Sequence, residues 1–342
     1  MSATRPPAGA RSAAPEHEAP GAREIAAKST ALPVGAAFGP QRLDQLPSAV
    51  VADRLRHGTL VLRTGPFAFR LRSPHARVAE GVLAMYGAHP VLAEAEPADF
   101  DVHIDGGVGL RRWLRRQARF VFDGRSVFEP LPVDHGYALM EWAMNWCISS
   151  HAHQYLIVHA AVVARGDAAV ILPAPPGSGK STLCAALIHA GWRLLSDELA
   201  LIDMASGAIH PLCRPVSLKN RSIEVIGRFA PQAQFSRTTH DTAKGDVAHV
   251  RPPASHVALD QQTARARWIV YPRYEAGSAT VATPRSRANA TVDLARNAFN
   301  FALQGEAGFE RLCAVVQGCD CLDFRYSALP EAMAFFDRLA TA

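Results

Sequence analysis

With 342 residues, 49% of them apolar and 20% charged, the chain can bury a sizeable core and is expected to form two domains, or one with a large appendage. A net charge of +5 and a pI near 9.0 fit an anionic substrate without singling out nucleic acid. Six cysteines in a chain of this length do not make a disulfide framework, and no apolar run approaches the ~20 residues of a membrane span. The N-terminus lacks the apolar stretch of a signal peptide, so a cytoplasmic protein in a reducing compartment is expected, with no membrane and no nucleic acid as partner.

Residues 1–45 are rich in Ala, Pro and Gly and are expected to form a disordered tail, because so few large apolar side chains cannot offset the entropy of ordering. Residues 46–150 are expected to form a small α/β domain. Its ordered chain begins at Ala49–Arg56, Thr59–Thr64 and Phe67–Leu71 alternate like a hairpin turning at Gly65-Pro66, and a helix over His75–Tyr86 precedes a strand at Phe100–Ile104. From Leu110 to Phe120, Arg111, Arg115 and Arg119 form a basic stripe if the segment is helical; in an extended segment they scatter over both faces. A solvated face or a docking surface for an acidic partner are the readings of such a stripe. Leu139, Met140, Ala143, Trp146 and Cys147 share a helical face, which predicts a bridging helix over Tyr137–Ser150.

Residues 151–342 carry the chemistry. Tyr155–Ala164 reads as a strand containing His159, Arg165-Gly166-Asp167 as a turn, and Ala168–Leu172 as a second strand. There follows Pro175-Pro176-Gly177-Ser178-Gly179-Lys180-Ser181-Thr182, and then a helix marked by Leu183, Ala186, Leu187 and Ala190 and closed by Gly191. Strand, Gly-rich turn, Lys-Ser and helix is the context of a phosphate-binding loop. Its amides converge on an anion at the positive end of a helix, Lys180 reaches the β/γ-phosphates, and Ser181 ligates Mg²⁺. The first Gly of the full pattern is replaced by Ala174, a position that shapes the turn and touches no phosphate. Seventeen residues after Lys180, the apolar run Trp192–Leu195 ends in Ser196-Asp197-Glu198, which delivers a carboxylate pair to the loop as Mg²⁺ coordination requires. Cys313, Cys319 and Cys321 lack a second Cys/His cluster and predict no metal site. Beyond them, strands at Trp268–Tyr271 and Leu322–Tyr326, helices over Val292–Leu303 and Phe309–Val316, and a last helix opened by Pro330 are expected.

The run from His159 to Val163, the loop, and Gly191-Trp-Arg-Leu-Leu-Ser-Asp-Glu198 together resemble the catalytic domain of HPr kinase/phosphorylase. That enzyme phosphorylates a serine of a small carrier protein, and its P-loop fold is related to phosphoenolpyruvate carboxykinase. The resemblance to its offshoot, HPr kinase-related kinase A, extends over Glu141-Trp-Ala-Met-Asn-Trp-Cys147, Arg214-Pro-Val-Ser-Leu-Lys-Asn-Arg221 and Lys244-Gly-Asp-Val-Ala-His-Val-Arg-Pro-Pro253, so that it spans residues 115–275. It implies a mixed sheet with helices, ATP and Mg²⁺ as cofactors, a serine-bearing small protein or precursor peptide as acceptor, and a homo-oligomer. Two positions depart from the parent. Glu198 stands where the parent has Asp, and its glycine-rich signature for reverse phosphorolysis has no counterpart here.

In the mechanism the resemblance implies, Asp197 accepts the serine proton, His159 orients Asp197, and Ser181 with Glu198 positions Mg²⁺. Lys244 and Arg251 are candidates for the γ-phosphate or the acceptor, and Lys219 and Asn220 for the acceptor side. A switch that binds ATP and a peptide without phosphorylating it is the alternative, together with a small-molecule kinase of the same superfamily.

Overall fold

The hairpin expected at Gly65-Pro66 forms, with β1 (Leu60–Thr64) antiparallel to β2 (Phe67–Arg72) and Thr64 opposite Phe67. Both strands bury nearly every residue, because helices α1 (Ser48–His57), α2 (Ala76–Met85) and α3 (Gly136–His151) cover the sheet they start. That sheet is completed by β3 (Val91–Leu92), β4 (Phe100–Gly106), β5 (Gln117–Phe122), β6 (Arg125–Ser126) and β7 (Leu131–Pro132), in the order β3-β1-β2-β4-β5-β6 with β7 beside β5. The computed structural model describes residues 41–109 and 114–341.

Packing begins earlier than the composition implied. Leu43 is fully buried and its amide donates to the His89 carbonyl at 3.0 Å, so the ordered chain starts before residue 46. Of the two alternatives for the arginine segment, the extended one holds where it is described. Leu110–Trp113 lie outside the described residues, but Arg119 lies in β5, where its guanidinium donates to the Gly106 carbonyl and to Asp105. An extended backbone alternates its side chains, so no i, i+4 stripe passes through Arg119.

The second sheet carries the loop. The chain lays down β8 (Tyr155–Arg165), β9 (Ala168–Pro173), β10 (Arg193–Ser196), β11 (Leu199–Asp203) and β12 (Ile209–His210). It then forms a separate three-stranded sheet from β13 (Val216–Lys219), β14 (Thr239–Thr242) and β15 (Gly245–Val250), ordered β13-β15-β14, with α5 (Arg221–Phe229) after β13 and α6 (Ala254–Val257) after β15. It returns with β16 (Arg265–Tyr274), β17 (Val281–Pro284) and β18 (Asp320–Tyr326) to give the order β12-β11-β8-β9-β16-β18-β17, with β10 also on β8. β16 runs parallel to both β9 and β18, while β8 is antiparallel to β9.

The continuous apolar runs in β8 and β9 follow from cover on both faces of this sheet. Val170 and Leu172 of β9 pack with α4 (Lys180–His189) and α9 (Leu329–Thr341), whereas Ala169 and Ile171 pack towards α7 (Arg287–Arg296) and α8 (Phe301–Gln317). Tyr155, Ile157, Leu199 and Leu201 join the core of the first sheet, so the two cores meet. Residues Pro40–Ala342 form one compact α/β unit built on mixed sheets.

The helix expected over Val292–Leu303 is broken. α7 stops at Arg296, and residues 297–300 turn to bond the edge of β8: Asn300 accepts from the Ile157 amide (3.0 Å) and donates to the Tyr155 carbonyl (2.8 Å). Among the described residues no helix is long and apolar enough to cross a membrane, and all six cysteines are free.

Candidate active site

β9 ends at Pro173, and the chain turns through residues 174–179 into α4. Gly177 and Gly179 adopt φ of +85° and +89°, in the left-handed region where glycine carries no penalty. At Gly179 the need is also steric, since an added Cβ would lie 2.7 Å from the Tyr326 hydroxyl and 3.0 Å from the Tyr274 Cβ. Those two residues clamp the loop from β16 and β18. The Tyr274 amide donates to the Ser178 carbonyl (2.9 Å), and the Tyr326 hydroxyl donates to the Gly179 carbonyl (3.2 Å). The loop amides are thereby presented at the N-terminus of α4, where helix and backbone dipoles favour an anion.

The carboxylates arrive through a jog in the chain. β10 and β11 both pair with β8, Ser196 opposite Val162 and Leu199 opposite His159, so Asp197 and Glu198 occupy the step between them. Their surroundings differ. Asp197 is 5% exposed, accepts the Ser217 amide at 3.1 Å, and lies beside Ser181 and Lys180. Burial and the charge of Glu198 push its carboxyl up to about 6, against the pull of Lys180, Ser181 and the Ser217 amide. Glu198 faces the His159 ring, with Oε2 3.7 Å from Nε2, and the two side chains keep 26% and 30% of their surface open to solvent. Burial alone would raise Glu198, but Lys180, His159, Lys219 and Lys244 more than reverse this and hold it below its ordinary value. Burial, with Lys180 next, holds His159 down at about 4, so the ring is neutral near pH 7.

Three unpartnered buried atoms lie here. Among the described residues, Ser178 Oγ, Lys180 Nζ and Asp197 Oδ1 are buried and find no hydrogen-bond partner. An orphaned buried ammonium and carboxylate oxygen are costly, and such groups recur where a protein is built to receive a charged ligand.

The fold thus brings together Gly177, Ser178, Gly179, Lys180, Ser181 and Thr182 with Asp197, Glu198, His159, Lys219 and Lys244. His159 stands against Glu198 rather than Asp197, as the antiparallel register of β8 and β11 dictates. Burial and the nearby Lys219 charge lower the Lys244 ammonium, which sits 5.3 Å from the Trp142 ring centre. Arg251 makes contacts elsewhere, and Asn220 braces the turn that carries Lys244. The Arg251 guanidinium, at the far end of β15 from Lys244, donates to Gln234 (2.9 Å) and lies 4.0 Å from Asp44. Asn220, at φ +51°, accepts the Asp246 amide (3.0 Å) and packs its amide against Gly245, which makes it a clamp for the β14–β15 turn.

Several neighbours carried little or no local signal. Ser217 contributes a backbone amide, which every residue type but proline carries. Trp142 lies off the apolar face of α3, and an aromatic at a polar helix position was the available hint. Phe299 places its ring 5.7 Å from His159, carried by the break between α7 and α8. Compared with models of known protein families and with curated proteins, the chain matches none.

Proposed function

We propose that this chain is an ATP-dependent serine kinase of the P-loop, HPr kinase-like type, acting on a small carrier protein or a precursor peptide. The observation that carries the reading is the convergence of the unpartnered Lys180 ammonium and Asp197 Oδ1 on the amino end of α4, beside the half-open His159–Glu198 pair. The residues also fit the metal such a kinase uses. The unpartnered Asp197 Oδ1 lies beside Ser181, so Mg²⁺ would be held by Ser181, Asp197 and phosphate oxygens, the sparse protein ligation this ion favours. Bound there, it neutralises phosphate charge.

Phosphoryl transfer asks the protein mainly for positioning and charge compensation. The amides of residues 177–181 and Lys180 hold the β- and γ-phosphates. Glu198, on the open side, takes the proton of the incoming serine hydroxyl while neutral His159 fixes its orientation. This reverses the expected division of labour, because Asp197 lies beside Ser181, the proposed metal ligand, whereas Glu198 faces His159. A carboxylate of low pKa is a weak base, which suffices where the proton leaves late in a loose transition state. Lys219 and Lys244 flank Glu198 and complement either the γ-phosphate or the acceptor.

Incubation of purified protein with γ-labelled ATP and serine-bearing acceptors from its own cell extract is the test. Label is expected on an acceptor serine, and Lys180→Ala is expected to abolish it while leaving the fold intact. ATP binding without transfer to any acceptor would favour a nucleotide-dependent switch, and unchanged transfer by the Lys180 variant would remove the loop from the mechanism.

A further inference from the structure

The two flanks of the loop strand differ in what they offer a nucleotide. On one side, β8 with β10 and β11 carries His159, Asp197 and Glu198. On the other, β16 and β18 run parallel to β9, so their carboxyl ends emerge at the same edge of the sheet as the loop. Ligands of parallel α/β sheets bind beyond those carboxyl ends. A nucleotide whose terminal phosphate faces the carboxylate pair therefore carries its sugar and base towards the β16–β18 flank.

An aromatic platform stands there. Tyr274 is the last residue of β16, bonded through its amide to Ser178, and it remains 48% exposed. An isolated exposed aromatic is ordinary on a protein surface. This one is braced: Tyr326, itself 1% exposed, holds the Tyr274 ring edge-on at 5.8 Å and 72°, and Phe324 stacks on Tyr326 at 5.4 Å and 14°. The ring is thus held beside the phosphate loop at no further ordering cost on binding.

We propose that Tyr274 is the nucleobase platform of the site, stacking the heterocycle of a nucleoside triphosphate whose phosphates occupy the loop. The proposal rests on the phosphate-loop reading above and adds the base subsite to it. It also assigns the two tyrosines separate tasks. Tyr326 secures the Gly179 carbonyl from within the core, and Tyr274 presents its face to the ligand.

Inorganic triphosphate and ATP, each titrated with Mg²⁺ by calorimetry, separate the base from the phosphates. Wild type is expected to bind ATP more tightly than triphosphate. Tyr274→Ala keeps the Cβ and the amide that brace the loop. It is expected to weaken ATP roughly tenfold or more, as loss of one base–aromatic stack does, and to leave triphosphate affinity unchanged. Tyr274→Phe retains the stack and is expected to bind ATP as wild type does. Equal losses for both ligands would make Tyr274 a mere brace for the loop and overturn the proposal, as would an unchanged ATP affinity in Tyr274→Ala. If wild type binds triphosphate but gains nothing from the base, the platform alone fails. If it binds neither, the phosphate-loop reading fails with it.

Discussion

Asp197 and Glu198 are adjacent in the chain, yet one faces the helix carrying the loop and the other a strand. They occupy the step between β10 and β11, where Asp197 lies beside Ser181 and Glu198 faces His159. The proposed roles divide in the same way, and two isosteric changes distinguish them. Glu198→Gln is expected to keep Mg²⁺-dependent ATP binding and to lose roughly 10²–10⁴ in transfer rate, the usual contribution of a positioned base. Asp197→Asn is expected to weaken nucleotide binding in the presence of Mg²⁺ as well as the rate, because a metal ligand acts on both. Binding titrations and single-turnover transfer on the same preparations read this out. The opposite pattern would return the proton to Asp197.

Helix α3 shows how an element outside the loop supports it. Its apolar residues Leu139, Met140, Ala143 and Cys147 are buried against the first sheet, while Glu141 reaches Arg214 just before β13. The pair is nearly dry, with Arg214 Nη2 2.6 Å from Glu141 Oε2 and side-chain exposures of 6% and 3%. Tyr86 donates to Glu141 (2.8 Å), and Arg214 also donates to Asn145 (2.7 Å). Three residues on from Arg214, the Ser217 amide holds Asp197, so this cluster anchors the segment that orients the buried acid. Removing one partner of such a pair strands the other charge. Glu141→Leu is expected to cost about 3–5 kcal/mol in denaturant unfolding, whereas Glu141→Leu with Arg214→Met is expected to recover most of it. A double variant as unstable as the single one would show that the ion pair itself, rather than an unpaired charge, sets the stability.

On the scale of the whole molecule, three histidines among the described residues are held at about 4 chiefly by burial: His89 against the Cys213 carbonyl (2.7 Å), His159 in the candidate site and His256 beside Arg193 and His189. Each is neutral in the folded chain and titrates near 6.5 once exposed. The unfolded state therefore binds more protons between those values, and their contribution to stability, present above pH 6.5, is lost as pH falls through about 4. The folded protein is expected to lose stability steadily below pH 6.5. His89→Gln is expected to flatten that dependence, since a shift of this size corresponds to roughly 3 kcal/mol at full protonation. Urea midpoints for both proteins from pH 7.5 to 4.5 check this, and parallel curves would assign the acid sensitivity to other groups.

The order of strand, loop and helix around Lys180 was legible in the sequence because its determinants are local. Glycines that permit positive φ, a Lys-Ser opening a helix and an apolar strand on either side all lie within a few residues of one another. The same holds for the Gly65-Pro66 hairpin and for α3. What pairs with what across the site was decided only by the tertiary structure. His159 meets Glu198 rather than Asp197 because of the register between β8 and β11, which no spacing along the chain encodes. Ser217 reaches Asp197 through a backbone amide that carries no residue signature. Tyr274 comes beside Ser178 because β16 lies parallel to β9, ninety or more residues away in sequence, and Arg251 is carried off by the direction of β15 although Lys244 lies in the turn that opens the same strand. Strand register and parallel pairing are set by the packing of many distant apolar residues at once, so they exist only in the folded chain.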